Sequence, residues 1–167
     1  MISVKEIIKT LDLQPHPEGG YFREVYRSEG VIPNSNLTDN FQGDRNYATS
    51  IYYLLESGDF SAFHKINQDE TWHFYIGDAI ELHVISENGS LSTIKIGNDI
   101  SNGEIPQFTV QKHDWFAAKV KNPDTFALVG CTVSPGFDFR DFELASHDML
   151  VEKYPEHKAL IKAFTRH

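Results

Sequence analysis

The chain has 167 residues and a formal net charge of −9, from 24 acidic and 15 basic side chains. That length suits one domain with a core of its own, and the acidic balance argues against a broad nucleic-acid surface or adsorption to anionic membranes, which both rely on Lys and Arg. The hydrophobic share is 40%, with twelve Phe, seven Tyr and two Trp, so the composition is that of a folded domain and not of a disordered chain.

Residues 3–11 read as a helix: Ser3 is the cap, Glu6 follows three residues later, and Val4, Ile7, Ile8 and Leu11 share one face. The start of the chain lacks the apolar core of a secretory leader. No stretch reaches bilayer-spanning length. The single cysteine, Cys131, sits in an apolar run as a core thiol and fits a reducing compartment, so a cytoplasmic protein is expected.

Residues 14–20, with three turn formers in Pro17-Glu18-Gly19-Gly20, interrupt regular structure before a strand over 21–27. Residues 28–46 are polar and rich in turn formers, a loop or flap. Short strands follow over 48–55, 61–66, 70–76, 79–85, 91–96, 107–111, 115–119, 126–133 and 139–143, separated by turns such as Glu87-Asn88-Gly89-Ser90. Residues 146–165 return to helical spacing, and Pro155 divides them into two helices. The expected architecture is all-β, a sandwich or barrel over about 20–143 with helices at both ends.

The chemistry concentrates between Gly58 and Gly77. His64 comes six residues after Gly58, Glu70 six after His64, and Gly77 seven after Glu70. On a strand, His64 and Ile66 share a face, and a turn at 67–69 returns Glu70 beside them. This segment resembles the first motif of the cupin superfamily, with Ile66 in place of the second histidine. The second motif aligns near 110–116, where its histidine falls at Phe116 and its usual proline and glycine fall at Gln111 and His113.

A closer resemblance spans nearly the whole chain. Pro15-His-Pro-Glu-Gly-Gly-Tyr-Phe22, Ser50-Ile-Tyr-Tyr-Leu-Leu55, Asp69-Glu-Thr-Trp-His-Phe74 and Gly130-Cys-Thr-Val-Ser-Pro-Gly-Phe-Asp-Phe139 occur in this order. The set is similar to the cupin-five family, a domain of unknown function. The resemblance implies a cupin double-stranded β-helix, a homodimer, and a shape like that of the dTDP-sugar epimerases, from which activity follows by analogy alone.

Three readings of the pocket stay open. In the first, a metal-independent isomerase or epimerase acts on a small polar or sugar-like metabolite. His64 is its base, Glu70 orients the ring, and Tyr53, on the strand before, is the acid. In the second, a divalent metal is held by His64 and Glu70 in an oxygenase-like enzyme. Ile66 and Phe116 cannot coordinate, and His73 has the opposite parity to Glu70. In the third, the protein binds a ligand or serves structure without turnover, and the His64–Glu70 contact only satisfies two buried polar groups.

Around that pair, Trp72, Phe74 and Trp115 are pocket walls or plain core. His16, Glu18 and Arg23 stand at a pocket rim or in a structural turn. Arg23 and Arg27 share strand parity and bind an anionic group or face solvent. Phe137 and Phe139 pack inward, with Asp138 and Arg140 outward. No nucleophile elbow and no phosphate-binding glycine loop is present. The expected partners are a small-molecule ligand of unidentified chemistry and a second copy of the chain, with no nucleic acid and no membrane.

Overall fold

The computed structural model describes residues 2–166. Helix α1 (Val4–Leu11) begins with a reciprocal cap: Ser3 Oγ accepts from Glu6 N at 3.3 Å, and Glu6 Oε2 accepts from Ser3 N at 2.8 Å. The strands follow as β1 (Gln14–Pro15), β2 (Tyr21–Arg27), β3 (Val31–Ile32), β4 (Arg45–Asn46), β5 (Thr49–Glu56), β6 (Phe60–Lys65) and β7 (Asp69–Gly77). After these come β8 (Ile80–Ile85), β9 (Leu91–Ile96), β10 (Gln107–Val110), β11 (Trp115–Val120), β12 (Phe126–Ser134) and β13 (Glu143–Leu144). Helices α2 (His147–Lys153) and α3 (Lys158–Ala163) close the chain, parted by a 3-10 turn at Pro155–His157 as Pro155 requires.

Six strands pair in the order β1-β2-β5-β12-β7-β10 and five in the order β13-β6-β11-β8-β9, with every ladder antiparallel. The two sheets enclose Tyr53, Trp72, Leu82, Phe116, Val129 and their neighbours, giving the expected double-stranded β-helix. Two further layers cover the outside. Helices α2 and α3 pack Leu150, Tyr154, Ile161 and Phe164 on Phe63, Ile85 and Trp115 of the five-stranded sheet. Helix α1 lays Ile7 on Leu54 and Leu128 of the six-stranded sheet. Strands covered on both faces are buried at consecutive residues, as in β8 and β11, and β11 accordingly reads as a nearly unbroken apolar run.

Two expectations change. Residues 139–143 do not form one strand: Phe139–Asp141 is a 3-10 turn and only Glu143–Leu144 pairs, with β6. The 28–46 segment is not all loop, because β3 and β4 form a small ribbon within it. Among the described residues no helix is long and apolar enough to cross a membrane.

Candidate functional site

A cavity of about 310 Å³ opens between the sheets. Its walls come from the turn before β2 (His16, Glu18), from β2 (Phe22, Glu24, Arg27), from β5 (Thr49, Ile51, Tyr53), from β6 (His64) and from the residue that follows it (Ile66). Glu70 of β7, Cys131 and Val133 of β12, and Phe137, Asp138, Phe139 and Phe142 of the segment after β12 complete it. The volume lies at the small end of the usual range for small-molecule sites, and the mix of apolar walls with a few polar groups is characteristic of them.

The turn before β2 reaches the cavity because Gly19 and Gly20 take φ of +117° and +69°. A side chain at Gly20 would stand 2.6 Å from Leu54 O and 2.9 Å from the Tyr53 hydroxyl oxygen, so both the angle and the space demand glycine. The turn carries Glu18 inward, where its Oε2 lies 3.0 Å from His64 Nε2 and its Oε1 accepts from Ser61 Oγ at 2.9 Å. His64 Nδ1 lies 2.7 Å from Ala62 O. Both ring nitrogens of His64 thus face acceptors, an arrangement that only the doubly protonated imidazolium satisfies.

The electrostatics agree. Burial pulls the His64 ring toward neutrality, but the Glu18 carboxylate more than offsets it and the pKa rises. Burial also works against the Glu18 anion, yet the His64 charge and hydrogen bonds from His64 and Ser61 bring its pKa down to about 2. His16 lies at the edge of this pair. Its Nδ1 accepts from Glu18 N at 3.2 Å, and burial holds the ring neutral.

Glu70 is different. No ion pair within 4.0 Å includes it among the described residues, although it is only 9% exposed. Burial raises its pKa to about 7, against the pull of His64. The Cys131 thiol and the Trp72 indole stand beside it and favour its anion slightly. Trp72 Nε1 itself has no hydrogen-bond partner. Burial pushes the Tyr53 phenol and the Cys131 thiol well up, so both are neutral. Tyr53 donates its hydroxyl proton to Gly19 O at 2.8 Å.

Of the residues singled out in the sequence, His64, Glu70 and Tyr53 meet in the cavity. The orienting partner of His64 is Glu18, however, and not Glu70. Trp72 faces the barrel interior, as its parity with Glu70 requires, but lies in the packed core beside Tyr53 and Phe116, and Phe74 packs against the same core. Trp115 is on the other side of its sheet, under α2 and α3, because its neighbour Phe116 takes the inward position. Arg23 points outward and donates to Leu11 O at 3.1 Å.

Arg23 and Arg27 do not share a face. Glu24 pairs with Ile51 and Tyr26 with Ser50, so Val25 is an extra residue and the parity inverts there. Phe22, Glu24 and Arg27 therefore line the cavity while Arg23 does not. Two groups carry more than the sequence reading gave them. The sequence leaves Glu18 between a pocket rim and a structural turn, and reads Phe137 and Phe139 as inward-packing core. The His-x-Glu spacing of His16 and Glu18 beside two glycines was the available signal for the first.

The donor set does not fit a resident divalent ion. Both nitrogens of His64 are engaged, and Ile66 and Phe116 offer no lone pair where the resemblance implies histidines. The Phe116 ring lies 4.0 Å from the His64 ring, centroid to centroid. His73 points to the outer face and meets Thr132 Oγ1 at 3.1 Å. Among the described residues no group of three or more His, Cys, Asp or Glu side chains is arranged around a common point suited to a metal.

Comparison with known proteins follows the same lines. The chain is similar to a protein from Shewanella oneidensis, SO0799, with a TM-score of 0.90 and 42% identity over 99% of both chains. It is also similar to a hypothetical protein from Leishmania major, with a TM-score of 0.91 and 34% identity over 99% of this chain and 100% of that one. In sequence it is 30% identical over 172 residues to the uncharacterized protein YML079W of Saccharomyces cerevisiae, covering 97% of this chain and 85% of the relative. Oxalate decarboxylase from Bacillus subtilis shares the fold alone, at a TM-score of 0.55 and 12% identity over 92% of this chain and 37% of that one. The family model described as Cupin superfamily (DUF985), Cupin_5, matches residues 5–145, and the chain belongs to that family.

Proposed function

We propose that the cavity binds a small polar metabolite and moves a proton on it, in the manner of a metal-independent isomerase or epimerase, with Glu70 as the group that takes and returns the proton. The observation that carries this reading is the Glu70 carboxyl: it lines the cavity, has no ion-pair partner among the described residues, and is poised near pH 7 by burial. A carboxyl so placed populates both protonation states at neutral pH, the condition for general acid–base work. His64 is not the base in this scheme, because both its nitrogens already donate. Held as a cation by Glu18, it lies in the same cavity and helps to keep the Glu70 anion accessible near neutral pH. The proton passes to Glu70 and returns to the same carbon once the planar anion has turned over, or to its neighbour while the hydroxyl proton moves between the two oxygens, so no oxidant or reductant enters.

The test is proton exchange in heavy water, followed by proton NMR, across a panel of hydroxy-aldehydes, hydroxy-ketones and their amino-substituted counterparts. At least one compound is expected to take up deuterium beside its carbonyl, with the rate falling about a hundredfold or more in Glu70→Gln. Exchange at the wild-type rate in that variant would overturn the proposal. So would occupancy of the cavity, by chemical-shift changes, with no exchange in any compound of the panel.

A further inference from the structure

The charges facing the cavity leave a specific imbalance. Its two cationic side chains are each paired with a carboxylate of the protein. His64 meets Glu18 and Ala62 O. Arg27 donates from Nε and one terminal nitrogen to Glu24 at 3.2 and 2.6 Å, from that nitrogen to Phe137 O at 3.0 Å, and from the other to Asn46 Oδ1 at 2.8 Å. His16 is neutral, as are Tyr53 and Cys131. Among the described residues, every cation in the wall is already paired with a carboxylate of the protein, which weakens its call on an anionic ligand.

The anions are accounted for in the same way, with one exception. Glu18 is matched by His64 and Glu24 by Arg27. Asp138 accepts from Arg140 at both carboxylate oxygens, at 2.9 and 2.8 Å. Among the described residues Glu70 alone of these has no basic partner within 4.0 Å, and it is nine-tenths buried with its carboxyl in the cavity wall. Around it the wall is aromatic: Phe22, Tyr53, Phe137, Phe139 and Phe142 all line the space. Aromatic faces carry partial negative charge and attract cations, most strongly where water is excluded. The net charge of −9 draws cations toward the molecule as a whole.

We infer that the cavity selects a small organic cation, an ammonium or alkylammonium group set among the aromatic rings with Glu70 as its counter-ion, and refuses anionic metabolites. The inference rests on the cavity being the ligand site, as in the proposed function, and names the class of molecule that site takes. It does not depend on proton transfer. The ligand supplies the partner that the protein withholds from Glu70, and its fit is set by the rings and not by a fixed hydrogen-bond pattern.

The experiment uses three probes of matched shape on the full chain at low ionic strength and pH 7: tetramethylammonium, neopentyl alcohol and pivalate. Calorimetry in buffers of different ionisation enthalpy, with amide and side-chain NMR shifts to locate binding, reads both affinity and proton release. Tetramethylammonium is expected to bind about tenfold or more tightly than the neutral probe, with no binding by pivalate. Its binding is expected to release a proton, because a cation beside Glu70 favours the anion. Glu70→Gln removes that release. Phe139→Ala, at a half-exposed ring, weakens the cation about two- to thirtyfold while the fold is kept.

Pivalate binding as tightly as the cation would overturn the inference. So would equal affinity for the alcohol, or no tetramethylammonium binding at any concentration that leaves the protein folded. Cation binding without deuterium exchange in any compound of the panel would sink the proton-transfer reading and leave this one standing. Exchange on a neutral compound with no preference for the cation would do the reverse.

Discussion

His64 and Glu70 were both legible from their spacing, yet the structure gives them opposite electrostatic fates. His64 is matched by a carboxylate and stays charged; Glu70 is not matched and hovers between states. This has a consequence for stability. The Glu70 carboxyl titrates near 4.5 when unfolded and about 7 when folded, so between those values the folded protein holds the extra proton. Stability from this group is therefore full below about pH 4.5 and declines as pH rises to about 7, by on the order of 3 kcal/mol. Glu70→Gln keeps the size and removes the ionisation. It is expected to gain about 2–3 kcal/mol over wild type at pH 8 relative to its difference at pH 4.5, by urea unfolding at both pH values. An equal difference at the two pH values would show that Glu70 ionises in the fold as it does in water. Glu18 was harder to read than either, because it reaches His64 from a turn distant in sequence. Pairing across such a distance depends on the positive φ of Gly19 and Gly20, and the spacing of a strand motif does not encode it.

At the scale of elements, the alternation rule served well wherever the ladders run without a shift, and failed where they do not. The sequence placed Glu70 and Trp72 on one face and His73 on the other, as observed. It misplaced Arg23 because the bulge at Val25 leaves no mark in composition. It also read 139–143 as a strand, although Asp141 there is drawn into a buried cluster instead. Arg45 meets Asp141 with two contacts of 2.7 Å, Gln68 Nε2 donates to Asp141 at 2.7 Å, and Arg45 donates to the carbonyls of Gln42, Gly43 and Asp44. Asp141 stands between Phe139 and Phe142, so this cluster ties the aromatic wall of the cavity to the β3–β4 ribbon. Asp141→Asn leaves the Arg45 charge buried without its counter-charge and is expected to cost about 3–5 kcal/mol. Amide exchange over 137–142 should quicken beyond the global change. Asn67→Ala, which removes the 3.3 Å contact to Asp141 and a 3.0 Å bond to Asn40 O, is expected to cost about 1–2 kcal/mol and serves as the folded control. A loss below about 1 kcal/mol in Asp141→Asn, with wall exchange unchanged, would show that the cluster does not hold the wall.

For the whole molecule, two sheets around a common core and helices at both ends were expected from strand count and turn spacing, and the structure has them. The sequence did not distinguish the three apolar layers, because inward and outward residues of a doubly covered strand are equally apolar; Trp115 was misassigned for that reason. The layering also shows where cover is incomplete. Helix α1 shields Leu54 and Leu128 on the outer face of the six-stranded sheet, but Tyr75 and Ile76 beside them remain 45% and 43% exposed. The Tyr75 hydroxyl lies over Gly130, and the ring meets Tyr52 edge-on at 6.1 Å. Exposed apolar side chains on a sheet face are the kind of surface that association covers, and a twofold-symmetric pair would cover them with identical ones. We propose a homodimer through this face, in keeping with the family resemblance. Sedimentation equilibrium is expected to give twice the chain mass of 19.0 kDa. Tyr75→Lys is expected to give the single mass with an unchanged circular dichroism spectrum, since the ring is half-exposed and a lysine at the centre of a symmetric contact opposes its own copy. A wild-type chain that sediments as a monomer would refute the dimer. A Tyr75→Lys variant that still sediments as a dimer would place the contact on another face, where Tyr26 and Val25 of the β2 bulge, 55% and 44% exposed, are the next apolar surface.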